Sequence, residues 1–296
     1  MELFEQLRSE QKNRIRFELG LDALDNKAYF KEVYHRAHAI MKEMFDKDDA
    51  ILLVAMIHTH VDDKKHHLPR MIRFLKDKNL IYGLTHKTRA FTYDPEDLEV
   101  KTDLYSLRMK KEDLYIDKLL KNPTMNCNFY IVNETRETLF YMYDTRGCDV
   151  YSLEKADLLP LYHTFRKWIL DDHRIDIDHH FEDGLFNYSE TPVERKQRER
   201  ANEQQVEATK INLYEDNTCH ITHQLEISEE NAEACIAEMS QTGFKIETEK
   251  ELDGVVMLKA MKTEALAIVD YQTELMSLYA KKYNGLYKGW SIVKAF

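Results

Sequence analysis

A chain of 296 residues, 43% of them hydrophobic, can bury the cores of two ordinary domains and is too apolar for a disordered polyelectrolyte. Its 42 lysines and arginines against 53 aspartates and glutamates leave a net charge of −11, which argues against phosphate-backbone binding, since that needs a basic stripe, and suits a basic protein partner. No apolar run reaches membrane-span length, Met1-Glu2-Leu3-Phe4 lacks a signal-peptide pattern, and Cys127, Cys148, Cys219 and Cys235 lack zinc or disulfide spacing; a cytoplasmic protein with reduced thiols and no membrane contact is expected.

In chain order, Arg14-Ile15-Arg16-Phe17-Glu18-Leu19 alternates and stops at Gly20, which predicts a strand. Asp25 or Asn26 then caps a helix whose stripe of Tyr29, Val33, Ala37, Ile40, Met41, Met44 and Phe45 keeps the helical period. The continuous apolar run 50–57 has strand length and predicts burial on both faces. A short helix is expected over 68–75, opened by Pro69, and another over 112–120. Residues 129–132 and 139–143 flank a short polar loop, the pattern of a hairpin. Asp144-Thr145-Arg146-Gly147 reads as a turn, with Asp144 bonding the backbone two residues on and Gly147 freeing the reversal. Within 158–170, Leu161, Tyr162, Phe165, Trp168 and Ile169 form one helix face. This first part is mixed α and β.

Between residues 193 and 205 almost nothing is apolar: Glu194-Arg195-Lys196-Gln197-Arg198-Glu199-Arg200 runs into Ala201-Asn202-Glu203-Gln204-Gln205, a solvated helix or a linker. A boundary near residue 200 is therefore expected, with an N-terminal α/β domain over 1–190, a linker over 191–205 and a C-terminal domain over 206–296. In the last, Ile221, His223, Leu225 and Ile227 alternate as a strand. Ser228 caps a helix with Glu229 and Glu230 in its first turn and Ala232, Cys235, Ile236 and Met239 on one face. Gly243 ends that helix, and Phe244 and Ile246 begin a strand. Asp253-Gly254 turns into Val255-Val256-Met257-Leu258; Thr263 caps a helix carrying Leu266, Val269, Leu275, Met276 and Tyr279. Asn284-Gly285 closes it, and Trp290, Ile292 and Phe296 share one face of a final strand. The order is β-α-β-β-α-β, the ferredoxin-like split arrangement, so the class is α+β.

Tyr283-Asn284-Gly285-Leu286-Tyr287-Lys288-Gly289-Trp290 resembles the Y-G-G-x-Y-D-G-W signature of the ribonuclease E inhibitor family, RraB, and the resemblance covers roughly residues 206–296. It implies a non-catalytic module that docks on a ribonuclease. Asn284 stands where the signature has glycine, and Lys288 where it has aspartate, a reversed charge that points to a partner of this chain's own. Gly285 and Gly289 would permit the turn between helix and strand, while Tyr287 and Trp290 double as core aromatics. Arg16-Phe17-Glu18-Leu19-Gly20, the hairpin end Tyr143 to Val150 and Trp168-Ile169-Leu170-Asp171 resemble a bacterial domain family of unknown function over roughly residues 1–185.

Two clusters raise the question of metal chemistry. His58, His60 and Asp62 follow the buried strand in a His-x-His-x-Asp spacing, and a second group holds Asp171, Asp172, His173, Asp176, Asp178, His179 and His180. Lys64 and Lys65 would repel a cation there, and the second group has no motif spacing. There is no G-x-S-x-G, no phosphate-cradling loop, and only eight glycines in all. The sequence therefore points to a regulatory or immunity-type protein that binds a protein partner, a ribonuclease or other nuclease, without a cofactor and without direct nucleic-acid contact. The candidate partner-binding residues are Tyr287, Lys288, Glu229, Glu230 and Glu233, with Arg146 and Asp149 in the N-terminal part. The alternative is a metal-dependent hydrolase built on His58, His60 and Asp62.

Overall fold

The computed structural model describes every residue except 11, 22–24, 61–69, 94–97, 122–126, 183–189, 212–217, 251–253 and 295–296, and only the backbone of 60, 89–93, 98–100, 250 and 294. The chain divides into two compact units, Met1–Gly20 with Phe30–Thr164, and Leu21–Tyr29 with Phe165–Phe296.

The first unit is built on α1 (Glu2–Ser9), β1 (Arg14–Glu18), α2 (Asn26–Met44), β2 (Ala50–His60), β3 (Thr85–Tyr93), β4 (Leu98–Lys110), α3 (Ile116–Leu120), β5 (Asn128–Asn133), β6 (Thr138–Met142), β7 (Gly147–Ser152) and α4 (Lys155–Thr164). Its seven strands form one sheet in the order β1-β7-β6-β5-β2-β4-β3, every pair antiparallel. The apolar run expected as a doubly buried strand is β2, flanked by β4 and β5, with Leu53 opposite Leu107 and Ile131. Residues 51–57 are all buried, so both faces of β2 lose water. On one face Phe4 and Leu7 of α1 pack against Leu52, Val54, Met56 and Tyr130. The stripe of α2, Val33, Ala37, Ile40, Met41 and Met44, is buried as its period requires.

Several local expectations change. The hairpin is β5–β6, but helix 112–120 splits into a 3-10 turn, Lys111–Asp113, and the short α3. In the expected helix 68–75, Leu68 and Pro69 lie outside the described residues, and Met71–Phe74 is a 3-10 turn. The helix expected over 158–170 runs from Lys155 to Thr164 and is followed by a 3-10 turn, Arg166–Trp168. Asp144 does accept from the Arg146 backbone at 2.7 Å. Gly147 serves a different end, since a Cβ there would sit 2.0 Å from the Tyr143 hydroxyl and 2.8 Å from the Phe17 carbonyl. It permits close approach rather than a reversed backbone.

The second unit holds α5 (Asp171–Phe181), α6 (Pro192–Thr209), β8 (Thr218–Ser228), α7 (Glu229–Ser240), β9 (Lys245–Lys250), β10 (Val255–Ala265), α8 (Val269–Lys282) and β11 (Leu286–Lys294). From β8 onward the order is β-α-β-β-α-β, and the antiparallel sheet runs β11-β8-β10-β9. Leu225, Ile227, Val256, Leu258 and Ala260 point to the helix side and meet Cys235, Met239, Leu275, Met276 and Tyr279. Thr263 is not a helix cap: it lies in β10 opposite His220, because pairing with β8 carries that strand on to Ala265. Ser228 occupies the N-cap of α7 without a side-chain cap bond.

The polar stretch expected as a linker over 191–205 lies almost wholly in α6. Thr191 accepts from the Glu194 backbone while Glu194 reaches back to the Thr191 backbone, a capping box with Pro192 at the first position. Asn202 anchors the helix, donating to Thr273 at 2.8 Å and accepting from the Trp290 indole at 2.8 Å. Arg198 forms a bidentate pair with Glu190 and donates to the Asp270 carbonyl at 2.8 Å. Phe165–Phe296 falls with Leu21–Tyr29 in the second compact unit, so α5 and α6 both belong to it.

Candidate partner-binding site

The signature segment lies at the start of β11, where the strand is irregular. Leu286 pairs with Glu226 and Tyr287 with Leu225, but the next pair is Gly289 with Gln224, leaving Lys288 as the extra residue of a β-bulge. Gly289 has φ of 115°, a conformation that side chains rarely adopt. The bulge has a geometric purpose. Side chains alternate along a strand, so positions 287 and 290 would otherwise face opposite sides. With one residue bulged out, Tyr287 and Trp290 both face the helices and Lys288 is exposed. Its ammonium lies 3.0 Å from Glu226. Asn284 takes the left-handed conformation at φ 50°, as its short polar side chain allows.

Behind the bulge runs a chain of buried hydrogen bonds that sequence reasoning missed. Asp171, 6% exposed, receives Arg174 at 2.9 Å and Lys262 at 2.6 Å. Gln272 donates its amide to the same carboxylate at 3.3 Å, so its oxygen is left to accept from His223 Nε2 at 3.1 Å. His223 Nδ1 then accepts from the Tyr287 hydroxyl at 2.9 Å. Every donor in the chain points from Tyr287 toward Asp171. Burial would raise the Asp171 carboxyl, but Lys262 and Arg174 outweigh it and hold it at about 2. Burial pushes the His223 imidazole down to about 4, against the Gln272 hydrogen bond and the charge of Asp171. The Tyr287 hydroxyl is pushed up, chiefly by burial.

Tyr287 is therefore half-buried with its hydroxyl turned inward, and of the signature residues Lys288 is the one that offers a charge to solvent. Glu229, Glu230 and Glu233 are exposed on the first turns of α7. Because α7 starts where β8 ends, and β11 starts beside that end, Lys288 and the three glutamates come to the same end of the second unit. In the first unit Arg146 is exposed and bonded to Asp144, whereas Asp149 is 2% exposed and takes a bidentate pair from Arg16 across β1 and β7. Asp149 thus holds the sheet and does not reach the surface.

Of the metal-reading residues, Asp62 and the His60 side chain lie outside what the structure describes. His58 Nδ1 is 2.9 Å from the Thr102 hydroxyl, and burial, then Arg8, lowers its imidazole. Among the described residues no three His, Cys, Asp or Glu side chains are grouped to hold a metal. In the second candidate group Asp171 and Arg174 turn inward as an ion pair. The four cysteines are buried and form no disulfide; burial raises Cys127 to about 11, Cys235 to about 12 and Cys148 well above its usual value, so these three stay protonated at neutral pH. Among the described residues no helix is long and apolar enough to cross a membrane.

The class this geometry defines is an α+β protein of two units, the second a β-α-β-β-α-β sandwich with an acidic helix start and an exposed lysine bulge. Residues 2–173 match the family described as a domain of unknown function, DUF3885, and residues 193–292 match regulator of ribonuclease activity B. The chain belongs to the DUF3885 family and carries a regulator of ribonuclease activity B domain at its C-terminal end. An uncharacterized protein of Bacillus subtilis, YnaE, is 28% identical over 165 residues, covering 49% of this chain and 76% of the relative.

Proposed function

We propose that the chain is a cytoplasmic, non-catalytic regulator whose second unit docks on a ribonuclease and limits its activity. The observation that carries the reading is the match of residues 193–292 to regulator of ribonuclease activity B. It is supported by the exposed Glu229, Glu230 and Glu233 at the start of α7, an acidic surface suited to a basic patch on a partner, with the exposed Lys288 bulge at the same end of the unit. Carboxylates three and four residues apart on one helix face repel each other by roughly 0.2–0.5 kcal/mol per pair, a cost that a basic partner would reverse. Charges of this kind steer encounter and set partner choice more than they add final affinity.

The test is cleavage of a labelled RNA by a purified endoribonuclease of the ribonuclease E type, with and without the full chain. Slower cleavage that saturates at one chain per active subunit is expected. Lys288→Asp should shift the half-inhibiting concentration about tenfold, one rim charge's worth, without moving the melting temperature. An equal loss of thermal stability would make Lys288 a structural residue. Unchanged cleavage by that and other cellular nucleases would end the reading; neutralisation of a toxin nuclease instead would make the chain an immunity protein.

A further inference from the structure

The first unit gathers positive charge at one place, against the sign of the chain as a whole. Residues 70–78 and 110–121 together carry eight lysines and arginines against four carboxylates, in a protein of net charge −11. The fold brings the two segments side by side: Leu75 bridges Leu114, the Lys76 backbone donates to Asp113 at 2.8 Å, and the Tyr115 backbone donates to Phe74 at 2.7 Å. At their junction the ammonium groups of Lys118, Lys76 and Lys78 stand 3.9, 5.9 and 5.9 Å from the centre of the Tyr115 ring. Lys78 is fixed there by donating to the carbonyls of Ile72 and Leu75. All four carboxylates, Asp77, Glu112, Asp113 and Asp117, count against the eight cations and leave the two segments a formal charge of +4.

Beside this cluster stand large exposed side chains. Tyr82 is 89% exposed at the far end of the same 3-10 turn, Lys78–Gly83, that begins with Lys78, and Ile72 is 43% exposed. A 3-10 turn rises about 2 Å per residue with three residues per turn, so Tyr82 lies about 8 Å along from Lys78 and about a third of a turn round from it, a reach that a strand curving round the turn spans in two to three phosphate spacings.

We propose that this face binds single-stranded RNA, with Lys76, Lys78 and Lys118 on successive phosphates and a base stacked on Tyr82. A lysine cluster alone would suit any polyanion. The solvent-facing aromatic is what favours a nucleic-acid strand, because every base offers a π-face and stacking tolerates any sequence. The charge of −11 does not forbid it: at physiological salt, fields are screened within about 8 Å, so a local cluster outweighs distant carboxylates. Neither the site nor its test depends on the ribonuclease-regulator reading, which concerns the other unit.

The experiment is fluorescence anisotropy of a labelled twelve-nucleotide oligouridylate with the full chain, titrated at several salt concentrations. Binding in the range of about 1–100 μM, weakening with salt, is expected for contacts of this kind. Lys76→Glu/Lys118→Glu should weaken it at least tenfold, and Lys76→Gln/Lys118→Gln should lower the log–log salt slope by about 1.4, two phosphates at about 0.7 each. Tyr82→Ser should weaken it about fivefold or more with the salt slope unchanged, and it decides the matter should a lysine variant fail to fold. No binding at low salt, or binding that these variants leave intact, overturns the proposal. So does loss of binding to phosphatidylserine vesicles in place of RNA, which would make the face a membrane contact.

Discussion

His223 sits on β8 with both ring nitrogens engaged, and burial holds its imidazole at about 4. In the unfolded chain a histidine titrates near 6.5, so below that pH the unfolded state takes up a proton that the folded state refuses. Stability from this residue is therefore full above about pH 6.5 and is lost as pH falls toward 4. A shift of about 2.5 units corresponds to roughly 3 kcal/mol across that window. We expect urea unfolding of the second unit to weaken steadily from pH 7 to pH 4.5, and His223→Gln to flatten that slope. An unchanged slope in the variant would assign the pH dependence elsewhere. Asp171 adds a separate, more acidic step: with its carboxyl at about 2, its contribution is present above about pH 4 and fades as pH falls toward 2. The role of neither group could be read from sequence, which offered Asp171 only as a member of a metal-ligand cluster. His223 is one position in an alternating strand, and Asp171 stands in a run of charged residues that reads as solvated; only their partners on α8 and β10 give them their roles.

The bulge and the turn before it show how an element depends on its neighbours. A Cβ added at Gly285 would lie 2.3 Å from the Glu226 carbonyl, a backbone atom that cannot swing away. Gly285→Ala should therefore destabilise by about 1–3 kcal/mol, the cost of overpacking, whereas Asn284→Gly should be mild. Thermal melting of the two variants separates close approach from mere turn flexibility. Trp290 is the other end of this argument. Trp290→Phe keeps most of the buried ring but strips the donor from Asn202, and a loss of about 1–3 kcal/mol is expected, with a truncation to alanine costing about 3–5. Elements with a clean period were legible in the sequence: β2 from its unbroken apolar run, β8 and α7 from their alternation and helical stripe. The misreadings share a cause. Thr263 looks like a helix cap because capping is judged locally, while the end of β10 is set by its partner β8. The long pair β3 and β4 went unread because residues 85–88 of β3 are exposed and polar and give no apolar alternation, and because β4 buries a polar residue, Asp103, which meets His86 and Thr88.

At the scale of the whole chain, the boundary matters more than either unit's interior. Polar residues near 200 look like a seam, and in the structure they lie in α6, docked through Asn202 and Arg198 within the second compact unit. The DUF3885 match ends at residue 173 and the regulator match begins at 193, so most of α5, Asp171–Phe181, is claimed by neither. Structurally it belongs to the second unit, where Asp171 neutralises Lys262 and satisfies Gln272. A fragment cut at residue 191, just ahead of the family match, leaves Lys262, 12% exposed in the full chain, with one carboxylate, Glu264 at 3.7 Å. Removing one partner of a buried pair costs about 3–5 kcal/mol, so that fragment should be less stable than one starting at residue 165 by about that amount. Lys262→Met in the shorter fragment should recover much of the difference, because an apolar side chain of similar length needs no counter-charge. Urea unfolding of the three fragments checks this. Equal stability of the two wild-type fragments would mean that α5 adds nothing to the second unit. A difference that Lys262→Met fails to narrow would place the contribution of the removed segment in apolar packing through Ile175 or in the Glu190 pair with Arg198, which the shorter fragment also lacks, instead of in Asp171.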